Sequence, residues 1–489
     1  MAKLEELKQI KQKKLVALKK AGIDPYPDTV GNFIAIKDLL TDFKCLTQKQ
    51  KKVFLVGRIM LWRPQGGLIF GQLRDQSGQI QFFVSKKDIG EKEFALWQNL
   101  EIGDFLRLGG KLFLTKRGER TVNVSDFKIL SKALTPLPEK WAGLQDMEKR
   151  LRQRYLDLLL NQKAGEIFKR KTLFWQSARE FLTKQGFLEV ETPILEMVPG
   201  GAEAEPFLTH YNALGQDLYL RISLELPLKK LLVGGLEKVF EIGRVFRNEG
   251  MDAEHLQDYT SLEFYWAYHN LADLQKIVQE FFRFIIKKTV GRLQHQYQGQ
   301  KISWAKNFAQ IDYFALFQKN VGLDLSNASD ADLRAKIKLL KLKTGLDINK
   351  LGRGRMIDLL YKKICRPKII QPSFLLGHPV EVSPLAKRDP QKPGRVLRLQ
   401  PVAGGVELGN GFAELNDPLE QRQRFEQQMK LRQAGDKEAQ ILDDDFLTAL
   451  EYGMPPAAGF GFSERLFAFL LDKSVRETTI FPAVKNKEH

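Results

Sequence analysis

The stretch Phe240-Glu241-Ile242-Gly243-Arg244-Val245-Phe246-Arg247-Asn248-Glu249 reads as a β-strand, and so, beyond a polar loop holding His255, does Tyr259-Thr260-Ser261-Leu262-Glu263-Phe264-Tyr265-Trp266. Successive side chains of a strand point to opposite faces, so Arg247 and Glu249 share a face opposite Phe246 and Asn248. In the second strand Tyr259, Ser261, Glu263 and Tyr265 share one face, and Thr260, Leu262, Phe264 and Trp266 the other. The apolar face is predicted to be buried and the polar one functional. A lone pair of this kind is more ordinarily a structural salt bridge on an antiparallel sheet. Here the company is more specific: an arginine fork suits phosphate or carboxylate, a tyrosine ring can stack on a base, and Glu263 with Tyr265 can grip a cation.

Working outward, the segment from about Ala164 to Gln185 aligns Ile167, Phe174, Ala178 and Phe181 on one helical face, stops at Gly186 and feeds a strand ended by Pro193. By itself that is ordinary core. Downstream, Glu407-Leu408-Gly409-Asn410-Gly411-Phe412-Ala413-Glu414 packs glycines between polar side chains, which lets backbone and ligand approach closely, with Glu407 a candidate Mg²⁺ ligand. Last, Gly459-Phe460-Gly461-Phe462-Ser463-Glu464-Arg465 reads as a glycine-rich strand turning into a helix with Arg465 in its first turn, facing phosphates. It lacks the full phosphate-loop and dinucleotide fingerprints.

The N-terminal third has a different texture. Leu4, Leu7, Ile10, Leu15 and Leu18 fall near helical spacing among lysines, up to Gly22 and the Pro25 and Pro27 turn, predicting a basic amphipathic helix that packs on the next domain. From Val53 to about Leu130 short β-rich runs, two of them joined by Asp75-Gln76-Ser77-Gly78, predict a small barrel of the oligonucleotide-binding type. Phe70, Gln72 and Arg74 share a face of one strand, and Gln79, Gln81 and Phe83 a face of the next. Aromatic rings beside amides and a guanidinium suit unstacked bases. Leu134 to Leu144, with Pro136, Pro138 and Trp141, reads as a linker. The expected organisation is residues 1–50 as basic helix and lead-in, 51–133 as barrel, 134–148 as linker and 149–489 as a catalytic domain.

Composition bounds the partners. The 77 Lys and Arg against 59 Asp and Glu give a formal charge of +18, which favours a polyanion such as nucleic acid over a merely solvated surface only when motifs agree. Two distant cysteines, Cys45 and Cys365, offer neither a disulfide framework nor a paired zinc site, and no apolar run approaches a membrane span. A cytoplasmic protein with no membrane partner is expected.

Taken together, Gly186 to Pro193, Phe246-Arg247-Asn248-Glu249 through Glu263, and Gly459 to Arg465 resemble, in order and spacing, the three signature motifs of class II aminoacyl-tRNA synthetases. Within that class, Pro136-Leu137-Pro138-Glu139-Lys140-Trp141 and Arg150-Leu151-Arg152-Gln153-Arg154-Tyr155-Leu156-Asp157-Leu158 resemble the linker and entry helix of lysyl-tRNA synthetases, and the resemblance extends to Gly22-Ile23-Asp24-Pro25-Tyr26-Pro27, the barrel, Val380-Glu381-Val382-Ser383-Pro384-Leu385-Ala386-Lys387 and Gly409-Asn410-Gly411-Phe412. The resemblance covers nearly the whole chain. It implies an α+β fold: an N-terminal OB-fold barrel, and a catalytic domain on an antiparallel sheet of six or so strands flanked by helices, in a homodimer. It also implies activation of lysine by ATP, with Mg²⁺, and transfer to tRNA(Lys).

Carried residue by residue, the resemblance places the lysine α-ammonium near Glu225 and Gly201, its carboxylate near Arg247, and its ε-ammonium near Glu414 and Tyr265, in a pocket with Glu263, Asn410 and Phe412. ATP falls to Arg247, Glu249, His255, Tyr259, Glu407 and Arg465, with Arg247, Glu249 and Arg465 closest to the chemistry. Metal is assigned to Glu407 and Glu414, and the anticodon region to Arg58, Phe70, Gln81 and Glu119. The chain departs from the family pattern in four places: Gln400 at a usually acidic metal position seven residues before Glu407, His255-Leu256-Gln257-Asp258-Tyr259 for His-Asn-Pro-Glu-Phe, Glu464 for aspartate, and Glu205 where arginine is common. The alternatives are a lysine ligase acting on a protein, which the barrel disfavours; an aspartyl or asparaginyl enzyme, which an acidic pocket disfavours; and a tRNA-binding paralogue without adenylation, for which Gln400 is the best hint.

Overall fold

The computed structural model describes residues 2–138, 146–250, 252, 255–343 and 347–485. The expected linker therefore lies partly outside the described residues, Trp141 included. The chain forms two compact units, Met1–Gln145 and Asp146–His489.

In the first unit, strands Val53–Gln65, Leu68–Arg74, Gln79–Ser85, Phe105–Leu114 and Arg120–Ser131 close into a barrel. In chain order the spatial sequence is first, second, third, fifth, fourth. Leu55, Ile59, Leu73, Phe82, Leu106 and Val122 alternate inward and are almost fully buried. The second and third strands turn on Asp75, whose Oδ1 accepts from Ser77 N (2.7 Å) and Gly78 N (2.8 Å). The N-terminal helix, Ala2–Lys20, ends as expected before Gly22, which has φ +79°. It packs on the barrel at its C-terminal end: Leu18 is buried in the barrel core, while Leu4, Leu7 and Ile10 stay exposed. The middle of the helix is held instead by Lys11 and Lys14, 3.3 and 3.6 Å from Glu101.

In the second unit, helix Met147–Arg152 is N-capped by Asp146. Helix Arg154–Leu160 follows, and Arg154 explains the specificity of this stretch. Its guanidinium is buried, pairs with Asp157 at 2.8 Å, and donates to the carbonyls of Glu477, Thr479 and Ile480, tying the C-terminal segment down. The main sheet has nine strands. Six run antiparallel in the order Ser373–Leu376, Arg398–Ala403, Asn410–Ala413, Ala457–Ser463, Asp258–Ala267 and Lys238–Phe246. At each end one further strand joins in parallel, Ala309–Asp312 and the two-residue Leu188–Glu189, and Val406–Glu407 pairs on the side. One face packs against helices Gln162–Lys184 and Leu271–Val290 through Leu262, Phe264, Phe460, Phe462, Phe281 and Phe174, all buried. The other face is the site.

The strand carrying Arg247 stops earlier than its alternation suggested. It ends at Phe246, and Arg247 and Glu249 lie on the loop beyond. Arg247 N still donates to Gln257 O (2.7 Å), but Asn248 N turns to Glu205 O (2.7 Å) and Glu249 N to Arg247 O (2.9 Å), so the ladder opens. A helical module is inserted between strands 309–312 and 373–376. Its helices Tyr313–Val321, Asp330–Leu339 and Arg353–Leu360 enclose their own core of Phe317, Leu333, Met356 and Leu360.

Candidate active site

Against the open face of the sheet lies a cleft of about 750 Å³, continuous with a smaller pocket of about 170 Å³. Gly201, Glu225, Arg247, Tyr259, Asn410 and Arg465 line both, so the positions that the sequence scattered over two hundred residues converge on one concavity. Glu249, His255 and Glu407 border the cleft, and Glu263, Tyr265 and Glu414 the pocket; Phe412 is common to the two.

The pocket is a buried cluster of charge. Glu225, Glu263 and Glu414 are 6%, 8% and 1% exposed. Glu263 is satisfied by neutral donors: Ser223 Oγ (2.8 Å) and Leu224 N (3.0 Å) reach Oε1, and Tyr265 Oη (2.9 Å) reaches Oε2. Glu225 and Glu414 share Lys229, which lies one helical turn after Glu225 and is fully buried. Its Nζ is 2.5 Å from Glu225 Oε1 and in contact with Glu414 Oε2. Glu414 Oε1 is buried with no hydrogen-bond partner. Burial pushes Glu225 up to about 7 and Glu414 up to about 8, with Lys229 pulling each back. The glycines make this room. A Cβ on Gly459 would come within 2.3 Å of the Tyr265 ring and 2.4 Å of Glu414 Oε1. Gly201, at φ +82°, leaves no space for one against Glu225 and Ser223.

The sequence reading missed Lys229, since a lysine in Leu228-Lys229-Lys230-Leu231 looks like any helix-surface residue; only its spacing of four from Glu225 hints at a partner. It also missed Arg398. That guanidinium donates to Asn410 Oδ1 (2.7 Å), Val382 O (2.6 Å) and Ser383 Oγ (2.9 Å), joining the pocket wall to the Val380–Val382 turn.

In the cleft, Arg247 donates through Nε to Ile222 O (3.3 Å) and holds its guanidinium 5.5 Å from the centre of the Tyr259 ring. Arg465 is the first residue of helix Arg465–Leu470, immediately after the glycine-rich strand. His255 is exposed, its Nδ1 2.8 Å from Asp252. The departure at Glu464 has a structural use: the side chain is buried, pairs with Lys171 of helix Gln162–Lys184 and accepts from Thr260 N. The Glu205 carboxylate lies 3.8 Å from Lys437 Nζ.

Of the two carboxylates expected at the metal, Glu407 lines the cleft. Glu414 lies in the pocket against Lys229, and a carboxylate already facing an ammonium is a poor Mg²⁺ ligand. Gln400 is buried with Oε1 accepting from Tyr361 Oη at 3.0 Å. Among the described residues no group of three or more His, Cys, Asp or Glu side chains could hold an ion. Half-buried Glu407 on the cleft wall remains. One carboxylate fits Mg²⁺ that is bound mainly by substrate phosphates and water.

On the barrel, Arg58 stacks on Phe105 (4.3 Å) beside Arg74, its register partner. Phe70 pairs with Phe83 (4.9 Å), and Gln72 with Gln81, whose amide donates to Thr121 Oγ1. These side chains share the outward face. Glu119 is exposed in the turn between the last two strands.

A closed five-stranded barrel, followed by a mostly antiparallel sheet that brings an arginine, a glycine-rich strand and a helix-starting arginine to one cleft, is the arrangement of a class II aminoacyl-tRNA synthetase. Residues 146–485 match the family of class II tRNA synthetases for D, K and N, and residues 53–130 match the OB-fold nucleic acid binding domain. Proteins named lysine–tRNA ligase from Thermoanaerobacter sp. (strain X514) and Roseiflexus castenholzii are 43% and 42% identical, each over 99% of this chain and over 97% and 100% of their own lengths. One from Pelotomaculum thermopropionicum is 41% identical over 99% of this chain and 96% of its own. The chain belongs to the class II tRNA synthetases.

Proposed function

We infer that the chain is a lysine–tRNA ligase that makes lysyl-adenylate from lysine and ATP and transfers the lysyl group to the 3′ end of tRNA(Lys). The observation that carries this reading is Glu414: a buried carboxylate oxygen without a partner, at the end of a pocket walled by Phe412 and Tyr265, calls for a cation on a long apolar stem. Glu225 and Gly201 suit the α-ammonium, Glu263 and Asn410 complete the pocket, and Arg247 at its mouth suits the carboxylate. No protein nucleophile is needed. The lysine carboxylate oxygen attacks the α-phosphorus of ATP, the bond to the bridging oxygen breaks, and pyrophosphate leaves. A terminal ribose hydroxyl of the tRNA then attacks the carbonyl and AMP leaves.

The chain's contribution is position and charge. Arg247 offers its fork to the α-phosphate, Tyr259 and Glu249 to the adenine, and His255 and Arg465 to the outer phosphates. Bound Mg²⁺, held from the protein side by Glu407, supplies neutralisation of phosphate charge. Arg58, Phe70, Gln81 and Glu119 lie where the barrel would read the anticodon.

A homodimer is supported by a run of exposed apolar side chains, Leu188, Ile194, Leu195, Met197, Leu208 and Leu214, next to the short edge strand 188–189. No helix among the described residues is long and apolar enough to cross a membrane, and charging of tRNA belongs in the cytoplasm. The test is lysine-dependent exchange of labelled pyrophosphate into ATP, with the other amino acids as controls, followed by charging of total tRNA. Exchange with lysine alone plus charging is the expected result. Exchange without charging would indicate another acceptor, and no exchange a tRNA-binding paralogue.

A further inference from the structure

Lys229 has no part in the reaction just described, yet it lies buried behind the wall of the amino-acid pocket, against two of its carboxylates. It is completely buried on helix Glu225–Val233, bridges Glu225 and Glu414, and lies 5.2 Å from the centre of the Phe412 ring. Glu263 makes no use of it, being held by Ser223, Leu224 and Tyr265. Three buried carboxylates against one internal ammonium leave two formal negative charges. Arg398 on the adjoining strand acts on Glu225 at longer range but directs its hydrogen bonds to Asn410, Val382 and Ser383.

We propose that Lys229 is the pocket's internal counter-ion, a positioning residue that sets the buried negative charge at the amount the two ammonium groups of one free lysine neutralise. The inference rests on the lysine reading above. An uncompensated buried charge is far costlier than a paired one, so an amino acid is selected by its number of ammonium groups as well as by its shape. Norleucine, with the same stem and one ammonium, leaves one carboxylate bare. Lysine covers both, and its own carboxylate goes to Arg247. The raised protonation of Glu225 and Glu414 in the empty pocket agrees with charge that awaits a partner.

The test is equilibrium binding of lysine and of norleucine by calorimetry to the full chain and to Lys229→Met, Glu414→Gln and the double variant, with KM for ATP as a check on the cleft. Lysine-dependent pyrophosphate exchange by the unsubstituted chain tests the functional reading separately. In Lys229→Met lysine is one ammonium short, and its affinity falls by at least about thirtyfold. The double variant restores the charge count and recovers at least about tenfold of that loss, a rescue that a purely structural role for Lys229 does not give. Glu414→Gln alone narrows the preference for lysine over norleucine. Where Lys229→Met does not fold, the double variant is compared with Glu414→Gln and binds lysine more tightly. Losses that add in the double variant, or a double variant that binds lysine more weakly than Glu414→Gln, would overturn the proposal. An unchanged lysine affinity in Lys229→Met would do the same.

Discussion

In the amino-acid pocket Glu225, Glu263, Glu414 and Lys229 are each less than a tenth exposed; Glu225, Glu263 and Lys229 have hydrogen-bond partners, and Glu414 Oε1 has none. On the barrel face Arg58, Phe70, Gln72 and Gln81 are half-buried, and their contacts are with barrel neighbours such as Phe105, Phe83 and Thr121. On the reading proposed above, the pocket recognises through an unpartnered carboxylate oxygen in a buried cluster, so a misfit meets the full cost of a bare charge. The barrel recognises by offering ring faces and amides that water also satisfies, so a misfit loses only the contact. The same chain therefore holds an intolerant site and a tolerant one, and substitutions should separate them.

The largest effect is expected from the smallest change. Gly459→Ala puts a methyl group within 2.3 Å of the Tyr265 ring and 2.4 Å of Glu414 Oε1, on a central strand that cannot retreat. Overpacking of this kind costs about 1–3 kcal/mol, and at a lysine contact it should lower kcat/KM for lysine in pyrophosphate exchange by about 100-fold. KM for tRNA in the charging assay should stay the same. A Gly459→Ala enzyme that loses lysine and tRNA recognition together would show that the two regions are not separable.

Acid is a second way to break the contrast. Glu225 and Glu414 have protonation points raised by burial to about 7 and about 8 in the empty pocket. An ammonium ligand binds the ionised carboxylates and expels the shared proton, so lysine affinity is fully present above the raised values and lost as pH falls through them. KM for lysine should rise by up to about tenfold per unit as pH falls from 8 to 6.5. KM for tRNA should follow no such curve, because Arg58, Phe70 and Gln81 do not titrate there. A flat lysine profile would mean that Lys229 keeps both carboxylates ionised even without substrate.

The barrel gives the milder outcome. Phe70→Ala removes one ring of the Phe70 and Phe83 pair without opening the core, since its neighbours Ile69 and Gly71 face inward. Stacking of a base on an aromatic ring is worth about 1–3 kcal/mol, so KM for tRNA should rise about tenfold in charging, with pyrophosphate exchange unaltered. An unchanged KM would move the anticodon contact off this face.

The legibility of these two regions in the sequence differed for a physical reason. Alternation shows which residues share a face, and it was enough for Tyr259, Ser261, Glu263 and Tyr265 and for Phe70, Gln72, Gln81 and Phe83. It could not show where a strand ends, because Asn248 and Glu249 leave the ladder through hydrogen bonds to Glu205, 43 residues away in sequence, and to Arg247, two residues away. The family resemblance supplied the names of the pocket carboxylates. It left out Lys229, whose role exists only once strand 410–413 brings the segment holding Glu414 against helix 225–233. The helical spacing of Leu4, Leu7 and Ile10 showed amphipathicity and not what covers it, and these three side chains are exposed.

Gln400 stands between the two regimes, a buried amide in the wall of an open cleft, and it sets the smallest expected effect. Its Oε1 accepts from Tyr361 Oη and its strand pairs Leu375. Gln400→Glu keeps the acceptor for Tyr361 and replaces the amide nitrogen with a charged oxygen in the wall of the cleft that Glu407, Lys362, Lys363 and Arg366 also line. Mg²⁺ favours carboxylate over amide oxygen, so the Mg²⁺ concentration giving half-maximal pyrophosphate exchange should fall by about threefold, with KM for lysine unchanged. A fall confirms that position 400 faces the metal and that the amide is a weakened ligand. No change at all would show that Tyr361 and burial hold the side chain away from the phosphates, leaving Glu407 as the protein's whole contribution to the ion. The open cleft would then be tolerant for the same reason as the barrel: its substrate brings most of the charge and the water that the protein does not have to supply.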